Sequence, residues 1–66
     1  MKGDLNNDKK VDAEDALIAL QGATGKITLT AQEIQAGDVT DNDGKVTAND
    51  ALVILQYATK KITAWP

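Results

Sequence analysis

The chain has 66 residues, no cysteine and no histidine, and its 10 acidic against 7 basic residues leave a net charge of −3. Disulfide staples, thiolate and imidazole metal sites and a histidine base are therefore excluded, and there is no basic patch of the kind nucleic acid needs. A core this small supplies about 3–5 kcal/mol at most, so a metal or a partner is expected to complete the fold, and any metal must be an oxygen-loving ion such as calcium or magnesium.

The first element is a polar loop, residues 4–12, rich in Asp and Asn. A helix is expected to start at Asp12 or Ala13, with Asp12 as N-cap and acidic Glu14 and Asp15 favoured in the first turn by the helix dipole. It should end near Gln21–Ala23, weakened by Gly22 and stopped by Gly25. Thr30-Ala31-Gln32-Glu33 is a capping-box pattern, which predicts a short helix over Ala31–Ala36 stopped by Gly37. A second polar loop covers residues 38–47. Thr47 then caps a helix over about Ala48–Thr59, and a tail follows to Trp65-Pro66. The longest uninterrupted apolar runs, Ala16–Leu20 and Ala51–Leu55, fall far short of the ~20 residues that cross a bilayer. No segment reads as a signal peptide. The chain is expected to be one small domain, or one module of a longer protein.

These elements are duplicated. Asp12–Thr28 and Thr47–Thr63 share 11 identities in 17 positions at an offset of 35, and Gly3-Asp4-Leu5 matches Gly37-Asp38-Val39 at an offset of 34. The change of offset places one extra residue in the second loop. Repeat one is expected over 3–28, a connector helix over 30–36 and repeat two over 37–63, all within a single module of residues 1–66.

Loop one carries oxygen side chains at its positions 1, 3, 5, 9 and 12, which are Asp4, Asn6, Asp8, Asp12 and Asp15. Alternate residues of a tightly turning loop point at a common centre. Lys10, at position 7, would add a backbone carbonyl, and Asp15 brings a carboxylate from the first helical turn. This is the logic of the EF-hand calcium loop, and six or seven oxygens suit calcium better than magnesium with its strict octahedron. Position 6, usually glycine, is Lys9, which predicts a non-glycine residue at positive φ. Position 12 is Asp rather than Glu, so the side chain must sit closer to ligate through both oxygens. Val11 is expected to pair with Val46 of the other loop.

In loop two the corresponding ligands are Asp38, Asp41, Asp43, the Lys45 carbonyl and Asp50, with Thr47 at position 9. The extra residue is expected to bulge so that Asp38 keeps the first ligand role, leaving Thr40 and Asn42 as lesser candidates. Asp, Asn and Gly also build ordinary solvated turns. Two such loops, each closed by Asp in the first turn of a helix, argue instead for two bound ions. Catalysis is not expected, because the carboxylates sit in turns without an accompanying nucleophile or base. A calcium sensor would need a helix before each loop and a Met-rich groove; there is no room for a helix before Asp4, and Met1 is the sole methionine.

Gly3-Asp4-Leu5-Asn6-Asn7-Asp8, then Val11, then Asp15-Ala16-Leu17, repeated about 35 residues on, resembles a type I-related dockerin, with the ruminococcal cellulosomes as the most similar subgroup. The resemblance spans residues 3–63. It implies an all-α fold of three helices with two tandem EF-hand-like calcium loops, two calcium ions, near two-fold symmetry and no catalysis. It also implies a cohesin domain of a scaffoldin as partner, bound mainly through the first and third helices. The setting implied is the extracellular, cell-surface-associated cellulosome of a bacterium, which degrades polysaccharide. The unbound module would be monomeric. Loop positions 10 and 11, often used for recognition in this family, fall on Ala13 and Glu14 and on Ala48 and Asn49. The Ser-Thr pairs of some dockerins are absent, so the partner should differ from theirs.

The helices point the same way. Ala16–Leu20 and Ala51–Leu55 are apolar all round, yet a helix in so small a domain buries only a stripe of roughly 100°. With Ala16, Ala19, Leu20 and Ala23 inward, Leu17, Ile18 and Gln21 face outward, as do Leu52, Val53 and Gln56 by the repeat. Such exposed apolar stripes mark partner sites. Glu14/Asn49, Ala19/Ile54 and Gly22/Tyr57 break the repeat and would favour one face over the other. Tyr57 and Trp65 are expected to pack, as a clasp where the termini meet.

Overall fold

A computed structural model describes residues 2–40 and 44–65 of the chain. Three helices follow in order: α1 over Ala13–Ala23, α2 over Ala31–Gly37 and α3 over Ala48–Ala58. The described residues contain no strand. Among the described residues, no helix is long and apolar enough to cross a membrane. Asp12 caps α1, its side chain accepting from the Glu14 and Asp15 amides while Asp15 reaches back to the Asp12 amide at 3.0 Å. Thr30 and Glu33 form the expected reciprocal pair at the start of α2, at 3.1 and 2.8 Å.

The ends of α1 and α3 are closed by the same device. Lys26 N–H donates to the Gln21 carbonyl at 2.9 Å and Gly25 N–H to Gly22. In the second repeat Lys61 donates to Gln56 at 2.8 Å and Lys60 to Tyr57. Both are Schellman closures, which need a left-handed residue after the cap. Gly25 supplies it at φ 82°, and Lys60 adopts it at φ 65° despite its side chain.

The sequence-based expectation that Gly37 stops α2 is corrected. Gly37 is the last helical residue, with Asp38 as C-cap. A Cβ on it would lie 2.9 Å from Val46 Cγ2 and 3.1 Å from Leu5 Cδ2. Glycine is needed there for close approach rather than for a turn.

The interior obeys the duplication throughout. Among the described residues, the buried apolar ones form three repeat pairs: Leu5 and Val39, Ala16 and Ala51, Ala19 and Ile54. The buried carboxylates are two more pairs, Asp4 with Asp38 and Asp15 with Asp50. α1 and α3 pack on each other, and α2 touches α3 lightly. They run antiparallel, since Gly22 and Ala23 at the end of α1 line a cleft together with Thr47 and Ala48 at the start of α3. Val11 and Val46 each pack against the core, and no backbone hydrogen bond joins them.

The rotation of the helices differs from the expected one. Leu20, expected inward, is 43% exposed, whereas Ile18 and Val53, expected outward, are half-buried against the core. The cause is Asp15. Its carboxylate must turn into loop one, so residues three and four further along, Ile18 and Ala19, follow it inward. Ala13, Leu17 and Leu20 are thereby placed on the outer stripe, and the repeat does the same through Asp50, Val53 and Ile54.

At the far side the tail returns to the start. The Trp65 ring stacks on Tyr57 with centroids 4.1 Å apart and planes 7° from parallel. Its six-membered ring covers Gly3, where a Cβ would lie 2.6 Å from Cζ2 and Cη2. Gly3, at φ 85°, also donates its amide to the Ala36 carbonyl at 2.7 Å.

Candidate metal centre and interaction face

Loop one turns because its amides are drawn to its own carboxylates. Asp4 accepts from the Asp8 amide at 3.2 Å through Oδ1 and from the Lys9 amide at 2.8 Å through Oδ2. Asn6 Oδ1 accepts from the Asp8 amide and Asp8 Oδ1 from the Lys10 amide. The turn takes Asn7 to φ 60° and Lys9 to φ 69°. The second is the expected non-glycine position, and its repeat partner Gly44 sits at φ 82°.

Asp15 is fully buried and ties the far end of the loop to α1. Its Oδ1 accepts from the Leu5 and Asn6 amides at 2.8 and 3.1 Å, and its Oδ2 from Asp12. Burial pushes this carboxyl up from its ordinary pKa, and the three amides only partly offset that. Ligand oxygens of Asp4, Asp8 and Asp15 lie within 4.8 Å of one another. Three carboxylates gathered so closely, with only amides as donors, repel one another unless a cation sits among them. The donor set, all oxygen, fits calcium. Three of roughly four lone-pair sites of Asp15 are already used, so ligation through both of its oxygens would require an amide to give way. Asp12 stands outside the cluster, committed to capping α1; it can serve the ion only through water, as position 9 often does.

Loop two repeats the frame. The Gly44 amide donates to Asp38 Oδ2 at 2.8 Å, as Lys9 does to Asp4. Asp50 Oδ1 accepts from the Val39 and Thr40 amides, and its Oδ2 from Thr47 at 2.8 Å. The hydroxyls of Thr40 and Thr47 add to this at 2.7 and 3.2 Å. Burial opposes ionisation of Asp50, but these donors, Thr40 foremost, outweigh it and hold the carboxyl below its ordinary value. Neither hydroxyl role was foreseen: Thr40 stands where the first loop has Asn6, and Thr47 where it has Asp12. The expected ligands Asp41 and Asp43, and the lesser candidate Asn42, lie outside the described residues. Lys10 and Lys45 follow the left-handed residues Lys9 and Gly44 in the chain.

Between α1 and α3 lies an apolar trough lined by Ala13, Ala16, Leu17, Leu20, Ala48, Ala51, Leu52 and Leu55. These are four identical repeat pairs. Leu17 and Leu52 are 53% and 52% exposed, with Leu20 and Leu55 close behind. Of the residues expected at a partner surface, Ala13, Glu14, Leu17, Ala48, Asn49 and Leu52 are exposed, Gln21 and Gln56 are half-buried, and Ile18 and Val53 are turned to the core. Leu20 and Leu55 were missed, although their spacing from Leu17 and Leu52 would place them on the same stripe. Glu14, which follows Ala13 in the chain, accepts from the Asn6 side-chain amide at 3.3 Å.

A duplicated loop–helix unit, with an acidic cluster in the first loop and a symmetric apolar face between the helices, defines an interaction module. The dockerin type I domain family matches residues 2–59, and the chain belongs to that family, which binds calcium. Among solved structures, the ScaB dockerin of Acetivibrio cellulolyticus, in complex with the third cohesin of ScaC and carrying an IN-to-SI change in its N-terminal helix, is 29% identical with a TM-score of 0.89. The same dockerin changed in its C-terminal helix is 28% identical, also at 0.89. Each alignment covers 100% of this chain and 92% of the other, and both complexes display a type I interaction. No curated protein matches the chain.

Proposed function

We propose that the chain is a non-catalytic docking module that binds two calcium ions and, once ordered by them, presents the α1–α3 trough to a cohesin domain of a scaffoldin. The observation that carries this is the trough itself: four exposed leucines set on alanines, on the two helices whose first turns are anchored by Asp15 and Asp50. The core is too small to hold α1 and α3 in register unaided. Calcium supplies the missing free energy, because the unfolded chain has no preformed site.

In loop one the ligands are Asp4, Asn6, Asp8, the Lys10 carbonyl and Asp15, with Asp12 acting through water. In loop two they are Asp38, the Lys45 carbonyl and Asp50, joined by Asp41 and Asp43. The contact surface is Ala13, Glu14, Leu17, Leu20 and Gln21 with Ala48, Asn49, Leu52, Leu55 and Gln56. Residues 1–66 act as one module, and the setting is an extracellular cellulosome on a bacterial surface. The test is titration against a panel of cohesin domains, the third cohesin of ScaC among them, with calcium and with excess chelator. Calcium-dependent binding to at least one is expected. Failure to bind any cohesin in calcium, with the helices intact, refutes the assignment.

A further inference from the structure

We infer that Trp65 is a positioning residue for the first calcium loop, so that the tail of repeat two sets the calcium affinity of repeat one. The inference rests on the calcium reading given above. The ring of Trp65 is held by its stack on Tyr57 of α3. It also packs against the buried core. It covers Gly3, whose neighbour in the chain is Asp4, and the same spot is 3.3 Å from Val11 Cγ1. Val11 sits between Lys10 and Asp12. The ring and the Val11 side chain thus both border Gly3, beside the loop that gathers Asp4, Asp8 and Asp15.

The second loop is closed differently. Gly37 is the counterpart of Gly3 and Val46 that of Val11, and these again lie together, but the third member of the group is Leu5 rather than an aromatic ring. Leu5 belongs to the buried core, whereas Trp65 is half-buried on a tail. The asymmetry starts in the sequence: Tyr57 stands where the first repeat has Gly22, and Gly22 is covered instead by Leu29. Among the described residues, only loop one is bordered by an aromatic side chain of the tail.

The two loops carry their own reporters. The Lys9 amide donates to Asp4 and the Gly44 amide to Asp38, each at 2.8 Å, so their ¹H–¹⁵N resonances follow the two sites separately during a calcium titration of the full chain. Replacing outer-shell supports of a metal site costs about 10- to 100-fold in affinity; Trp65→Ala should weaken calcium about tenfold at Lys9 and change it by less than about twofold at Gly44. Trp65→Phe, which keeps a ring over Gly3, should recover most of the loss. In the unsubstituted chain the emission of Trp65, the sole tryptophan, should follow Lys9 rather than Gly44. An equal loss at both reporters would mean that Trp65 supports the fold as a whole, and no loss at either would mean that it supports neither site; both overturn the inference. If Lys9 does not respond to calcium even in the unsubstituted chain, the calcium reading itself fails, which is a distinct result.

Discussion

Replacing Leu17 and Leu52, singly and together, tests the trough most sharply. The two are repeat partners exposed to 53% and 52%, so neither contributes much to folding that a substitution would remove. Surface changes of this kind alter stability by about 0.5 kcal/mol or less. Full burial of a leucine is worth about 1.5–3 kcal/mol, and half of each remains to be buried on a partner. Leu17→Ala or Leu52→Ala should therefore cost about 1 kcal/mol of binding, or about fivefold in Kd. Glutamate at either position also carries a charge into an apolar contact, at several kcal/mol more, so Leu17→Glu and Leu52→Glu should each weaken binding by more than about 100-fold. The trough is lined by identical pairs, so, contrary to the preference for one face expected from Glu14/Asn49, Ala19/Ile54 and Gly22/Tyr57, the two single substitutions should match. The assay is calorimetric titration of a cohesin in calcium, with far-UV circular dichroism to confirm the helices. Unchanged binding of both glutamate variants would remove the trough from the interface. Loss from one and indifference from the other would refute its symmetric use.

The remaining predictions concern the loops and their supports. Lys9→Gly should tighten calcium at loop one by a few-fold, because the left-handed conformation costs a side chain about 1–2 kcal/mol while glycine gives back roughly 0.5–1 through its freer unfolded state; calcium titration followed at the Lys9-position amide checks this, and no change or a weakening counts against it. The reciprocal Gly44→Lys should weaken loop two alone. Gly37→Ala should lower the thermal stability of the calcium-saturated protein by about 1–3 kcal/mol through overpacking against Val46 and Leu5, less up to about 1 kcal/mol of improved helix propensity; an unchanged melt would show that Val46 yields freely.

Much of this was written in the sequence, because duplication and capping are local. The offset of 35 residues placed both helices, Asp12 and Thr30 announced their caps, and Lys9 in the glycine position of a calcium loop announced its left-handed backbone. The rotation of the helices was not legible. Ala16–Leu20 is apolar on every side, so periodicity could not choose between Ile18 and Leu20. The choice is made by Asp15, whose side chain must accept from the Leu5 and Asn6 amides. The role of Gly37 was hidden for a similar reason: its neighbours Val46 and Leu5 are remote in sequence. So was the covering of Gly3 by Trp65, which joins the two ends of the chain. The threonine hydroxyls on Asp50 follow from the departures of loop two from loop one, and their effect depends on a burial that spacing does not reveal.

Two buried carboxylate anchors and, among the described residues, a core of six small or medium apolar residues are little to hold three helices, which under the proposed function depend on calcium. The decisive measurement is a calorimetric titration of calcium into the chelator-stripped chain, with helix content followed in parallel. Uptake of two ions per chain, with helicity rising as they bind, is the predicted result; absence of uptake, or full helix content persisting in excess chelator, would contradict it.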